Sequence, residues 1–208
     1  MSISTPSRGF QAPQPAAVPN DLVWRLSVDQ YHEMIRAGIL TDGDPVELLD
    51  GWLVPTMVKN PPHSIATEST RRVLERVLSE GWHVRSQEPV TLAASEPEPD
   101  VMIVRGTLRD YRDRHPGPQD VALVVEVADA SLERDRTTKK RLYAEAAIPV
   151  YWIVNLLDNR LEVYDDPTGP SEQPDYRRRR DLGPADQVSL VVEKKLVAAL
   201  LPVREMLP

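Results

Sequence analysis

Apolar and polar positions along this chain follow two rhythms. Between residues 66 and 78, small or apolar residues recur at three- and four-residue spacing: Ala66, Thr70, Val73, Leu74, Val77 and Leu78. That is one face of a helix. It predicts a helix starting near His63, behind Pro61-Pro62, and stopping at Gly81. Ser27-Val28-Asp29-Gln30 has the form of a capping box, so a short helix is expected through Arg36, with Gly38 as its stop. A third helix is expected over 133–147, closed by Pro149. Its apolar residues are Leu142, Tyr143 and Ala146.

Elsewhere the apolar residues come in short continuous runs, as in buried strands. Such runs occupy 100–104, 120–127 and 150–155, with shorter ones at 82–86, 90–92 and 161–164. Val46 to Val54 reads as a hairpin, because Asp50-Gly51 between apolar stretches is a strong turn signal. The polar stretch 108–115 is expected to be a loop or short helix. Beyond 166, one or two further strands and an apolar end at 196–201 are expected. Residues 1–20 are rich in Pro, Ala, Ser and Gln without periodicity, the signature of a disordered tail. The remaining 21–208 then form one α/β domain, a central mixed β-sheet flanked by helices.

Composition narrows the class. The chain has 208 residues, of which 41% are hydrophobic and 27% charged, enough for a sizeable core. No run approaches the roughly 18 apolar residues of a membrane span, so no membrane association is expected. The start lacks the apolar segment of a secretory leader, which favours a cytoplasmic location. There are no cysteines, which excludes disulfides, thiolate metal sites and cysteine nucleophiles. The net charge of −7 argues mildly against a dedicated nucleic-acid binder. The local basic runs 105–114, 134–141 and 177–180 read as solvated faces.

The placement of charge is more telling. Asp100 opens the run Val101-Met102-Ile103-Val104, and Glu126 lies within Val121 to Val127. A carboxylate in a core strand costs several kcal/mol unless it is paired or bound to metal. Two of them on consecutive strands suit a hard cation, since Mg2+ takes oxygen ligands and is commonly held by one or two carboxylates. Lys139 shares a helix face with Leu142 and Tyr143, so its ammonium turns toward the sheet and needs an anion. Acid, acid and lysine together are what metal-assisted phosphodiester hydrolysis requires. Glu47 is a weaker candidate for a third carboxylate, with a surface position as the plainer reading. His63 suits a helix cap or a phosphate contact. Asp135 is expected in a first helical turn, where a carboxylate suits the helix dipole. Tyr143 and Trp152 read as core aromatics. No phosphate-binding glycine loop, Gly-x-Ser-x-Gly elbow or zinc spacing of histidines is present.

These residues also carry a resemblance. Val46-Glu47-Leu48-Leu49-Asp50-Gly51, Pro62-His63-Ser64, Pro99-Asp100-Val101, the stretch 125–132, Asp135-Arg136, Lys139, Leu142-Tyr143-Ala144 and the stretch 148–155 together resemble the Uma-type restriction endonucleases of the PD-(D/E)xK nuclease superfamily. The resemblance covers about 22–200, and its most specific part is 126–155. It implies a restriction-endonuclease-like fold and cleavage of DNA with Mg2+ or Mn2+. Asp100 and Glu126 would be the metal-binding acids, Glu47 and His63 would match the family's N-terminal Glu and helix-start His, and Lys139 would be the lysine. That lysine usually stands two residues after the second acid, where this chain has Ala128. The family often has Glu before the Tyr-Trp pair, where this chain has Val150. A homodimer is expected, because cutting two strands takes two sites. A non-catalytic binding or regulatory module on the same fold, and action on RNA, remain the alternatives.

Overall fold

The computed structural model describes residues 23–41, 43–192 and 195–208, the last strand by its backbone alone over 195–199. The tail expected at 1–20 lies outside the described residues. The first helix, α1 (Val28–Arg36), opens with the expected capping box: Ser27 accepts from the Gln30 amide and Gln30 reaches back. The hairpin of β1 (Val46–Leu49) and β2 (Trp52–Pro55) follows. Its turn residues Asp50 and Gly51 have φ of 52° and 78°, the left-handed pair that a tight hairpin demands.

Gly51 is doubly constrained. A Cβ there would stand 2.8 Å from Leu26 O and 2.8 Å from Arg25 Cβ. Gly51→Ala is therefore expected to cost about 1–3 kcal/mol, from strain at positive φ plus displaced backbone, read as a lower urea midpoint.

Helix α2 (Pro61–Glu75) begins two residues earlier than the sequence suggested and stops short of Gly81. Asn60 is its cap, accepting from the His63 amide at 3.0 Å. The two prolines occupy the first turn, where no amide donor is needed.

The central sheet has six strands in the order β3-β4-β5-β6-β7-β8. They are β3 (Trp82–Arg85), β4 (Val101–Arg105), β5 (Val121–Ala128), β6 (Val150–Asn155), β7 (Arg160–Pro167) and β8 (Tyr176–Leu182). All neighbours are antiparallel except β5 and β6. That parallel pair needs a crossover, which is the helical stretch 132–145. The stretch comprises α3 (Leu132–Arg134), a π-helical turn (Asp135–Lys139) and α4 (Lys140–Glu145). A second hairpin, β9 (Gln187–Val192) with β10 (Lys195–Pro202), stands outside the sheet's ladder.

Both sheet faces are covered. On one, Val101, Ile103, Val125, Val127, Trp152 and Val154 pack on Ala66, Val73 and Leu74 of α2 and on the β9–β10 hairpin. On the other, Met102, Val104, Val124 and Tyr151 pack on Leu142, Tyr143 and Ala144. The alternation along β4 and β5 thus decides which face meets which helix.

Two expectations fail. Residues 90–92 form no strand: Val90 and Leu92 are buried, but their amides bond Pro97 and Ser95 carbonyls within a compact loop. The helix expected over 133–147 is broken by the π turn. Beyond 166 the two further strands are β8 and β9, and the apolar end at 196–201 is itself a strand, β10. Among the described residues, no helix is long and apolar enough to cross a membrane.

Candidate active site

Four elements converge on one cavity of about 90 Å3. The β1–β2 hairpin brings Glu47, the N-terminal turn of α2 brings His63, the start of β4 brings Asp100, and β5 brings Glu126. The π turn adds Asp135 and Lys139. All five residues singled out in the sequence therefore stand together.

Glu126 occupies an eight-residue strand that is buried throughout. Its position places it on the face covered by α4, alongside Val124 and Ala128. One carboxylate oxygen, Oε1, accepts from Lys139 Nζ at 3.1 Å and from the Tyr143 hydroxyl at 2.7 Å. Lys139 Nζ also stands 3.2 Å from Glu47 Oε2. That same oxygen accepts the Glu98 amide at 3.2 Å. Lys139 is buried at 6% exposure and Glu47 at 2%, so neither snorkels nor sits on the surface. Tyr143 is both core and site.

Asp100 is fixed by backbone and imidazole. Its Oδ2 accepts from the Val127 amide at 2.9 Å and stands 3.2 Å from His63 Nε2. Asn60 caps α2, which frees the His63 ring for this contact. The plain reading of His63 as a helix cap is overturned.

Asp135 was missed as a site residue. It is 2% exposed and lines the cavity, with the Ser131 hydroxyl donating to it at 2.6 Å. A signal existed: Asp135 lies four residues before Lys139, so an inward lysine predicts an inward Asp135. The π turn keeps that pairing while widening the helix, as such turns often do at functional sites. It is held from behind. Tyr151 donates to the Asp135 carbonyl at 3.1 Å. The next residue, Arg136, grips the fully buried Glu162 of β7, which also accepts from Asn155 at 2.8 Å and Tyr164 at 2.7 Å.

The electrostatics follow from burial. Burial pushes the Glu126 carboxyl well up, and Asp135, Asp100 and Glu47 add to this against Lys139. Burial alone would depress the Lys139 ammonium, but Glu126, Glu47, Asp135 and Asp100 outweigh it and raise it. Asp135 is pushed by burial from its ordinary 3.8 to about 6, despite Lys139 and the Ser131 hydroxyl.

A group raised in the fold contributes stability fully below its unfolded value and loses it as pH rises through the folded value. Asp135 thus destabilises the protein progressively between pH 3.8 and about 6, by roughly 3 kcal/mol. Asp135→Asn is expected to remove that slope, so its stability overtakes wild type by pH 7, measured by chemical denaturation across pH.

The donor set suits a hard cation. Five carboxylates (Glu47, Glu98, Asp100, Glu126 and Asp135) line the cavity against three basic side chains (Lys59, Arg134 and Lys139). All the acidic donors are oxygen, the ligand type that hard cations take. Among the described residues, no three Asp, Glu or His side chains converge closely enough to hold an ion in this conformation.

A crystal structure titled as "a putative nuclease belonging to DUF820" from Anabaena variabilis ATCC 29413 shares the fold. Its TM-score is 0.65 at 12% identity, covering 87% of this chain and 97% of that one. No curated protein matches the sequence. The sequence profile described as "Putative restriction endonuclease", Uma2, matches residues 28–200. The structural likeness is one of fold, and the sequence profile gives the family: the chain belongs to the Uma2 family of putative restriction endonucleases.

Proposed function

We propose that this protein is a Mg2+- or Mn2+-dependent endonuclease acting on DNA. The observation that carries the reading is the acidic cavity in which Lys139 Nζ stands 3.1 Å from Glu126 and 3.2 Å from Glu47, with Asp100 lining the same space. Asp100, Glu126 and Glu47 would hold the cation, and a side-chain shift around Lys139 would accompany its entry. The bound cation supplies a Lewis acid for the scissile phosphate and a lowered pKa for its water.

The chain's own residues do the rest. Lys139 donates to whichever anion replaces Glu126 or Glu47 at Nζ, and so stabilises charge developing on phosphate oxygens. Its raised pKa keeps it a cation and a donor, so it orients an attacking water rather than deprotonating it. His63 holds Asp100 in position, and Tyr143 does the same for Glu126. A twofold dimer would present two such cavities to the two strands.

A second reading has one observation behind it. Lys139 already pairs with Glu126 and Glu47, as in a retained but unused site, and a non-catalytic nucleic-acid-binding module would look the same. Incubation with supercoiled plasmid, single-stranded DNA and RNA, in Mg2+, Mn2+ or EDTA, separates the two. Metal-dependent cutting of DNA is expected. Cutting of RNA alone would change the substrate, and no cutting by folded protein would favour the binding module.

A further inference from the structure

The basic run that follows β4 takes no part in the cavity. It forms a short 3-10 turn (Leu108–Tyr111) and a loop, which with α1 wall an open cleft of about 690 Å3. Arg36, Arg112 and Arg114 line that cleft against a single carboxylate, Asp113. Each of these guanidinium groups has a carboxylate partner, Glu33, Asp113 or Asp120. Arg36 pairs with Glu33 and Arg112 with Asp113, and all four side chains are well exposed. Such pairs are weak and screened by salt, so both guanidinium groups are open to a phosphate. Arg114 is anchored on Asp120 at 2.6 Å and lies over the Tyr111 ring at 5.0 Å, an aromatic beside cations as single-strand and backbone binders use.

The cleft and the acidic cavity each border a third depression. Thr56 and Glu98 line both that cavity and the depression. Ile35 and His115 line both the depression and the cleft. The depression's own carboxylates are engaged: Glu96 with His32 and Thr91, Asp44 with Thr41.

We infer that this cleft is a second anchoring point for the nucleic-acid substrate, holding backbone phosphates away from the bond at the cavity. The inference rests on the nuclease reading for its ligand class. It predicts that affinity for long duplexes depends on residues that a short phosphodiester never reaches.

The test uses Arg36→Glu/Arg112→Glu and, in the opposite sense, Asp113→Lys. Binding of a 30-base-pair duplex is followed by fluorescence anisotropy in Ca2+, across a salt series. Hydrolysis of thymidine 5′-(4-nitrophenyl phosphate) in Mn2+ is measured separately. The double variant is expected to bind duplex at least tenfold more weakly, with a log–log salt slope shallower by about two. Asp113→Lys is expected to bind severalfold more tightly. Equal binding by wild type and double variant overturns the inference, as does an absence of duplex binding by wild type. Arginine-dependent duplex binding without ester hydrolysis would leave the cleft standing and sink the nuclease reading instead.

Discussion

Lys139→Met is expected to slow metal-dependent cleavage severely and to weaken the fold together. Lys139 stands among four carboxylates whose fields all raise its pKa. Removing one member of a buried ion pair costs about 3–5 kcal/mol, because the remaining charge has neither water nor partner. Here Glu126, whose carboxyl burial already pushes well up, loses its cationic partner and binds a proton more readily still. The stability loss should therefore be largest at alkaline pH, where protonation is hardest, and should shrink in acid. Cleavage should fall about 10²–10³-fold, the size of effect seen when one donor to a developing oxyanion is removed. Urea melts at two pH values, with cleavage rates measured on the folded fraction, separate the two effects. A variant as active as wild type would remove Lys139 from the chemistry. A variant as stable as wild type would mean that solvent reaches the cavity far more freely than its burial suggests.

Asp100→Asn should have the second large effect, and a cleaner one. The amide keeps an oxygen for the Val127 N–H, which Asp100 Oδ2 accepts at 2.9 Å, so folding is largely spared. What is lost is the negative charge beside His63 and across the cavity from Glu126. Cation binding depends on that charge. Mn2+ affinity, followed by titration, is expected to fall at least tenfold while the melting temperature moves by a few degrees. Unchanged Mn2+ affinity would take Asp100 out of the ligand set.

Much of this site could be read from the chain. Asp100 and Glu126 betray themselves as carboxylates in apolar strands, because burial without a purpose is too costly to persist. Lys139 was legible from its spacing to Leu142 and Tyr143. Both helix and strand periods placed these groups on the correct face, and Asp50-Gly51 placed the turn. Glu47 and His63 were not legible from local pattern. Glu47 is buried only because the hairpin folds over Lys139, a contact 92 residues away in sequence, and His63 is freed for Asp100 only because Asn60 takes the cap. Asp135 does stand in a first helical turn, as expected, and that plain local explanation hides its place in the cavity. The next residue, Arg136, grips Glu162, a contact no local window contains. The loop at 90–92 looked like a strand because burial alone produces an apolar run; its amides are satisfied by its own turns.

The most direct test of the central claim is cleavage of a DNA duplex by the purified protein with Mn2+, with Mn2+ plus excess EDTA, and by Asp100→Asn with Mn2+, all at equal concentration. The account predicts cutting in the first reaction and none above background in the other two. Equal cutting by Asp100→Asn, or cutting that survives EDTA, would contradict it.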